Sequence, residues 1–575
     1  MDTLKGICGS RGYCFGNAVV KTNTMPSPVK GLVLDYADEI AKFRRAQNIY
    51  FSRLEKLAEM TSRTLGNEAA DIFRAYQVIV KDEAFFKNAF SRIEKDSISI
   101  EFAVDLECKK IVSMFDSMGD DYMRERAIDI ENVCSELIHI MMGVDSDFSH
   151  KMEGKSDIVL VAGNLTPAET VKIDKSRLRG IVTEMGGVTS HTVILARALN
   201  IPAIVGVEGA TLQIRDGDFV TLDGFTGEID VNPSGESREV FFAVKQMHDL
   251  KRRLYSLAEK APAVTTDGFQ VSVSTTAGDY ESVRKLDISR CDGIGLFRTE
   301  SPFLYSNTYP SEEKQFLLYK EAAERAEGKE VIFRTLDMGG VSQAGYMNLP
   351  VEENPVIGFR AIRLSLKKKD VFDTQLRAIL RASAFGDVKI MFPMIATLEE
   401  LLHAKERLEA AKQELKDAAI PYRGDIPVGV MIHTPAAALI SDILARECDF
   451  FSIGSNDFVQ NITAADRLNP NVEELYDFCS LPVLRAVRIV AENAGAAGIG
   501  WMICGEAASD ERLVPLWVAM GAAGLTVPPS QAGAIKHMIC GIGRAEMQKE
   551  LETVLNMSRT QDIRAHMDNV IDPMV

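Results

Sequence analysis

The stretch VKIMFPMIATLEELLHAKERLEAAKQELKDAAIPYRGDIPVGVMIHTP, residues 388–435, decides the fold of the C-terminal half. It opens and closes on short β-prone apolar runs, VKIMFP and VGVMI, and between them carries a long charged segment compatible with a helix. Six more such runs flank it: QVSVST (270–275), DGIGLF (292–297), VIFRTL (331–336), DFFSIG (449–454), GWMIC (500–504) and AAGLTV (522–527). Strand and helix alternating eight times over about 300 residues is the pattern of a (β/α)8, or TIM, barrel. Polar residues fall at one place in the repeat. Arg298 follows the second run, Arg334 ends the third, His433 follows the fifth, Asn456 and Asp457 follow the sixth, and Cys504 ends the seventh. Active sites of such barrels are built at the C-terminal ends of the strands, so these side chains are expected to converge on one mouth.

Upstream the texture changes. The first twenty residues mix glycines with short β-prone runs and read as strand and turns. Between Lys30 and Thr166 there is no proline, and apolar residues recur at three and four positions, which predicts a bundle of helical hairpins. From Asp157 short runs return, among them DIVLVAG, RGIVTEMGG, PAIVGV and FVTLDG. The expectation is a multi-domain α/β chain: a small α/β domain of residues 1–30 and 146–233, a helical domain of 31–145 inserted in it, a linker helix over 234–262, and the barrel from 263 to 575.

Composition bounds the rest. A chain of 575 residues exceeds what one hydrophobic core supports, and 46% hydrophobic with 26% charged residues is ordinary for a globular protein. No apolar run reaches the length of a membrane span, and MDTLKGICGSRG lacks the basic-then-apolar layout of a signal peptide, so a cytoplasmic location without membrane association is expected. Nine scattered cysteines, odd in number and with no CxxC pair, argue against a disulfide framework and a zinc site. A formal charge of −17 opposes non-specific binding to nucleic acid and favours cationic partner surfaces. Any phosphate chemistry must rest on locally placed arginines.

GGVTSHTVILARALNIPAIVG, residues 186–206, sets a Gly-Gly turn and two hydroxyl residues before His191 and a helical pattern after it. His191 is thereby placed at a helix N-terminus, where free backbone amides and the helix dipole stabilise a phosphoryl group on an imidazole nitrogen. Thr189, Ser190 and Thr192 add hydroxyl groups beside it.

This segment resembles the phosphohistidine motif of the PEP-utilising enzymes, the family of the pyruvate, phosphate dikinases and of enzyme I of the bacterial sugar phosphotransferase system. GIGLFRTE (293–300), FRTLDMGG (333–340), NPVIGFRAIR (354–363), FSIGSNDFVQNITAADR (451–467) and CGEAASD (504–510) resemble its PEP-site signatures. A helical insertion, then the histidine domain, then the barrel, with no ATP-binding domain ahead of them, is the enzyme I order. The resemblance implies a phosphotransferase that moves the PEP phosphoryl group to His191 and on to a histidine of the carrier protein HPr, docked on the helical domain. It implies that Arg298, Arg334, Arg360 and Arg467 clamp the phosphate and carboxylate of PEP, that Asn456 touches the phosphate and that Asp457 ligates magnesium. Cys504 is then the acid that protonates the enolate, and the chain is a homodimer through its barrel.

The departures are local. Where the family has VGVMIETP, with a glutamate as second magnesium ligand, this chain has VGVMIHTP and puts His433 in that place. Imidazole is a poor magnesium ligand, which points to manganese or a softer ion, or to a paralogue with altered PEP chemistry acting in regulation or phosphate exchange. Val341 and Ser342 replace the Asp-Lys that usually follows FRTLDMGG, Val188 replaces the arginine or proline after the Gly-Gly turn, and Arg11 replaces the proline of the GSRG segment.

Overall fold

The computed structural model describes residues 2–21, 28–30, 35–65, 67–116, 121–143, 154–165, 176–187, 190–340 and 344–571, with Met152 and Glu169. Val188, Thr189, Val341 and Ser342 lie outside the described residues. The chain divides into two compact units, residues 1–249 and 250–575.

In the N-terminal unit, β1 (Asp2–Lys5), β2 (Ile7–Ser10) and β3 (Tyr13–Lys21) join β4 (Ile158–Ala162), β5 (Leu178–Thr183), β6 (Ala203–Val205), β7 (Phe219–Asp223) and β8 (Glu228–Val231) in one sheet of order β1-β8-β7-β3-β4-β5-β6-β2. β3 to β6 run parallel and the other pairings are antiparallel. Strand β4, IVLVA, is buried throughout, and its alternate side chains enter two cores: Val159 and Val161 with Val182 and Leu222, Ile158 and Leu160 with Ile181 and Ala203. That division is the two-residue period of a strand covered on both faces.

Among the described residues, five helices lie between β3 and β4: α1 (Tyr36–Leu65), α2 (Asn67–Lys81), α3 (Glu83–Asp96), α4 (Ile100–Asp116) and α5 (Asp121–Met142). They close on a core of their own, with Phe43 edge-on to Phe90 and packed on Phe86, and with Tyr50, Leu54, Tyr76 and Leu137 buried. Helix α6 (His191–Ala198) buries Ala196 in the same core as Ile158 and Leu160. Helix α7 (Gly235–Ala258) has no buried residue, and its course crosses from the first unit into the second.

The C-terminal unit is the barrel. A short β9 (Ala263–Val264) pairs antiparallel with β10 (Gln270–Ala277), and each of the eight β-prone runs holds one parallel strand: β10, β11 (Gly293–Arg298), β12 (Glu330–Arg334), β13 (Val388–Phe392), β14 (Val428–Ile432), β15 (Phe450–Gly454), β16 (Gly500–Cys504) and β17 (Gly524–Val527). β17 pairs with β10, and β10 with β11, so no edge is left open.

The unit 388–435 shows how the repeat is built. After β13, Thr397 and Glu400 form a capping box, and the helix Leu398–Asp417 buries Leu401, Ala404, Leu408, Ala411 and Leu415, one stripe at spacings of three and four, before β14 follows. Leu296, Ile332, Met391, Met431, Phe450 and Cys504 make a separate inner cluster, while Phe297, Phe333, Ile390, Val430 and Ile432 join the core shared with the helices. Both faces of most strands are thus buried, the reason runs such as GIGLF and VGVMI are continuously apolar.

Packing inside the barrel tolerates no extra atoms at Gly295, where a Cβ would stand 2.2 Å from Thr526 Oγ1 and 2.9 Å from Ser274 Cβ. The chain's two tryptophans, Trp501 and Trp517, are both buried in this unit, so their fluorescence reads barrel unfolding alone. Gly295→Val is expected to lower barrel stability by about 1–3 kcal/mol in urea melts followed by that fluorescence. A midpoint unchanged from wild type would contradict the close approach.

Candidate functional site

At the C-terminal ends of the strands opens a cleft of about 840 Å³. Arg298, Arg334, Arg360, His433, Asn456, Asp457, Arg467 and Cys504, all singled out in the sequence, line it together, with Glu300, Asp337, Tyr476 and Glu506. They come from five strand ends and the loops beyond them. Arg298, Arg334 and Cys504 are the last residues of β11, β12 and β16, and His433 is the first after β14. Arg360 lies on the loop between β12 and β13, Asn456 and Asp457 in the first turn of the helix Ser455–Thr463, and Arg467 just beyond that helix.

An alternating chain of charges runs across the mouth. Arg334 pairs with Glu300 and with Asp337, each at 2.8 Å; Arg360 reaches Asp337 at 2.8 Å and Asp457 at 3.1 Å; Arg467 stands 3.6 Å from Asp457. Burial alone would raise the Asp337 carboxyl, but Arg334 and then Arg360 outweigh it and hold it well below the usual carboxylate range. Asn456 is held by its neighbour: its Nδ2 donates to Glu506 at 3.0 Å and its Oδ1 accepts the Glu506 amide at 3.1 Å. Gly505, at φ +90°, makes this fit, because a Cβ there would lie 2.6 Å from Asn456 Oδ1.

Not every cation is matched. The Arg298 side chain forms no hydrogen bond or ion pair with any described residue, and Arg334 Nε is buried without a partner. Cys504 is almost fully buried; burial pushes its thiol up, so it is protonated at neutral pH and carries a proton at the cleft wall. In the N-terminal unit, His191 opens helix α6 with Ser190 as the extended N-cap residue, and the Ser190 hydroxyl is buried without a partner. The imidazole of His191 lies outside what the structure describes.

Asp337, His433 and Asp457 bring one ligand atom each to within 4.8 Å of one another, the one such cluster among the described residues. Both carboxylates are already shared among Arg334, Arg360 and Arg467. His433 Nδ1 accepts the Met394 amide at 3.3 Å. In the neutral ring this puts the proton on Nε2, and burial keeps the ring neutral by pushing its pKa below the ordinary value. With no glutamate in the cluster and an imidazole presenting N–H, the arrangement does not fit magnesium.

Residues 252–543 match the PEP-binding domain of the PEP-utilising enzymes, residues 154–227 their mobile domain, and residues 5–126 their N-terminal domain. The chain belongs to this family. It is 35% identical over 560 residues to the phosphoenolpyruvate-protein phosphotransferase of Priestia megaterium, covering 97% of each chain. It is 35% identical over 565 residues to that of Bacillus subtilis, covering 98% of this chain and 99% of the other, and 34% identical over 560 residues to that of Listeria monocytogenes, covering 97% and 98%.

Within this PEP-utilising fold, sequence reasoning passed over Glu300 and Asp337, although both stand in quoted motifs, GIGLFRTE and FRTLDMGG. The signal was there: an arginine at a buried strand end needs an acid to hold it. Asp337→Asn leaves Arg334 and Arg360 short of a charge and is expected to cost about 3 kcal/mol of barrel stability at pH 7 in tryptophan-monitored urea melts. Because the folded carboxyl titrates below its unfolded value, this contribution is complete above about pH 4 and fades as pH falls further, so wild type and variant converge in acid. Equal stability at pH 7 would remove Asp337 from this role.

Proposed function

We propose that this protein is a phosphoenolpyruvate-protein phosphotransferase: it takes the phosphoryl group of PEP onto His191, releases pyruvate, and passes the group to a histidine of an HPr-type carrier. The observation that carries this reading is the meeting, at one barrel mouth, of Arg298, Arg334, Arg360 and Arg467 with a protonated Cys504. PEP is a small dianion or trianion with a phosphate and a carboxylate, and guanidinium forks match both. Arg298, at the rim of the cleft, has no acid paired with it among the described residues, and an anion completes it.

The chemistry is a displacement at phosphorus. A nitrogen of His191 attacks, the bond from phosphorus to the enol oxygen breaks, and the oxygen leaves with the electron pair. Phosphoryl transfer of this kind is catalysed by positioning and by charge placed around the equatorial oxygens. The arginines supply that charge, and their pairing with Glu300, Asp337 and Asp457 fixes their heads before substrate arrives. The enolate left behind takes a proton at carbon from Cys504 Sγ, giving pyruvate. His191 belongs to the N-terminal unit and the cleft to the C-terminal one, so the reaction must bring the two together, with residues 234–262 as the hinge. The helices of residues 31–145 are the docking site for the carrier, whose basic face suits an acidic protein. Dimerisation through the barrel and a cytoplasmic location complete the reading. No helix among the described residues is long and apolar enough to cross a membrane.

Purified protein incubated with PEP is expected to gain one acid-labile phosphoryl group, seen by intact mass, that is absent from His191→Ala. Failure to label His191 under any condition would sink the reading. Cys504→Ala is expected to reduce pyruvate formation by about 10²–10⁴-fold, the usual contribution of a positioned acid. A coupled pyruvate assay checks this, and wild-type turnover in that variant would move the proton to another group.

A further inference from the structure

We propose that the barrel mouth binds PEP without a divalent cation, and that His433, in the place of a metal-ligating acid, offers its Nε2–H to the anion as a hydrogen-bond donor. The inference rests on the reading of the cleft as a PEP site and changes what holds the substrate there.

The argument begins with the Met394 amide. A backbone N–H can only donate, so its hydrogen bond to His433 Nδ1 requires a lone pair on that nitrogen. A neutral imidazole carries one proton, which is then on Nε2. A metal needs the reverse, a lone pair on the nitrogen that faces it. Turning the ring would satisfy the metal and leave a buried amide unpaired. Gly454, the last residue of β15, fixes the ring's position from the other side: a Cβ there would stand 2.2 Å from Nε2. That edge of the ring has no hydrogen-bond partner among the described residues, and His433 lines the cleft.

Two donors in one cleft are therefore without acceptors among the described residues: Nε2 of His433 in its wall and the guanidinium of Arg298 at its rim. A buried donor such as His433 Nε2 is nearly always paired, and an oxyanion with several lone pairs can accept from it together with the exposed Arg298 guanidinium. The acids point the same way. A cation placed between Asp337 and Asp457 would compete for both carboxylates with Arg334, Arg360 and Arg467, which already hold them. Glutamate at position 433 would add a negative charge that only a cation or arginine could balance. Histidine adds none, so the arginines keep enough positive charge for the substrate itself.

The test is calorimetric titration of PEP into the full-length protein in EDTA, in magnesium and in manganese. The dissociation constants are expected to agree within about fivefold, under 1 kcal/mol, since tenfold corresponds to 1.4. A larger gain with either ion overturns the inference and leaves the PEP reading standing. Absence of binding in all three overturns the PEP reading itself, and this inference with it. Two variants separate the donor from its shape. His433→Gln keeps an N–H near the position of Nε2 and is expected to bind PEP in EDTA within about fivefold of wild type. His433→Leu fills the space without a donor and is expected to bind about tenfold or more weakly, the size of a hydrogen bond to a charged group. Equal affinity of the glutamine and leucine variants overturns the donor role.

Discussion

Both oxygens of Asp337 are claimed by guanidinium groups, one by Arg334 and one by Arg360, and the rest of the barrel mouth depends on that sharing. Arg334 is the last residue of β12 and Arg360 sits on the long loop that follows, so a single carboxylate ties a strand end to a loop that would otherwise be free to place its arginine anywhere. Arg360 then reaches across to Asp457 on the far side of the cleft, and Asp457 to Arg467. Long cationic side chains carry large rotamer entropy, and fixing several of them in one cleft without substrate requires acids that are themselves fixed. Asp337, with its side chain only 2% exposed, is such an acid. The arrangement is costly to form in a low dielectric and becomes an asset only where preorganised positive charge is needed, as it is around a transferring phosphoryl group.

The backbone at two of these loops is held in conformations that L-residues seldom adopt. Ala361, immediately after Arg360, has φ +53° and ψ −129°, and Met394, whose amide reaches His433, has φ +59°. Each such residue costs on the order of 1–3 kcal/mol and persists only where its surroundings compel it. Ala361 is compelled by the hydrogen bond its backbone N–H donates to Met338 O, and both residues are fully buried. Ala361 and Met394 adjoin Arg360 and His433, so at these two loops the irregular backbone helps to aim side chains into the cleft.

The barrel was legible because most of its strands are buried on both faces: runs such as GIGLF, VGVMI and GWMI are apolar and give way to Arg298, His433 and Cys504 at the mouth. The start of the helix Leu398–Asp417 is fixed by a local signal of the same kind, the capping box of Thr397 with Glu400 three positions on. What sequence could not show was the pairing among the charges. Glu300, Asp337 and Glu506 sit in motifs that stood out for Arg298, Arg334 and Cys504, yet acids hold arginines through contacts between residues such as 360 and 457 that no spacing rule encodes. The tautomer of His433 was also hidden. Substitution of a glutamate by histidine suggests a softer metal until the Met394 amide is seen to occupy Nδ1, and that contact spans 39 positions.

An acidic protein with a formal charge of −17 is at first sight a poor receptor for a phosphate ester. Screening resolves this. At physiological ionic strength charges more than about 8 Å apart across solvent scarcely feel one another, so the overall charge governs which macromolecules approach the surface and has little hold on what binds in a cleft. Inside the cleft the reckoning is local. Arg334 and Arg360 are nearly enclosed, where their charges are screened least, while Arg298 at the rim has no acid opposed to it among the described residues. Two scales of electrostatics therefore act on one molecule. The acidic exterior suits a basic protein partner, and the arginine-lined mouth, through contacts only a few ångströms long, suits a small anion that the exterior as a whole would repel.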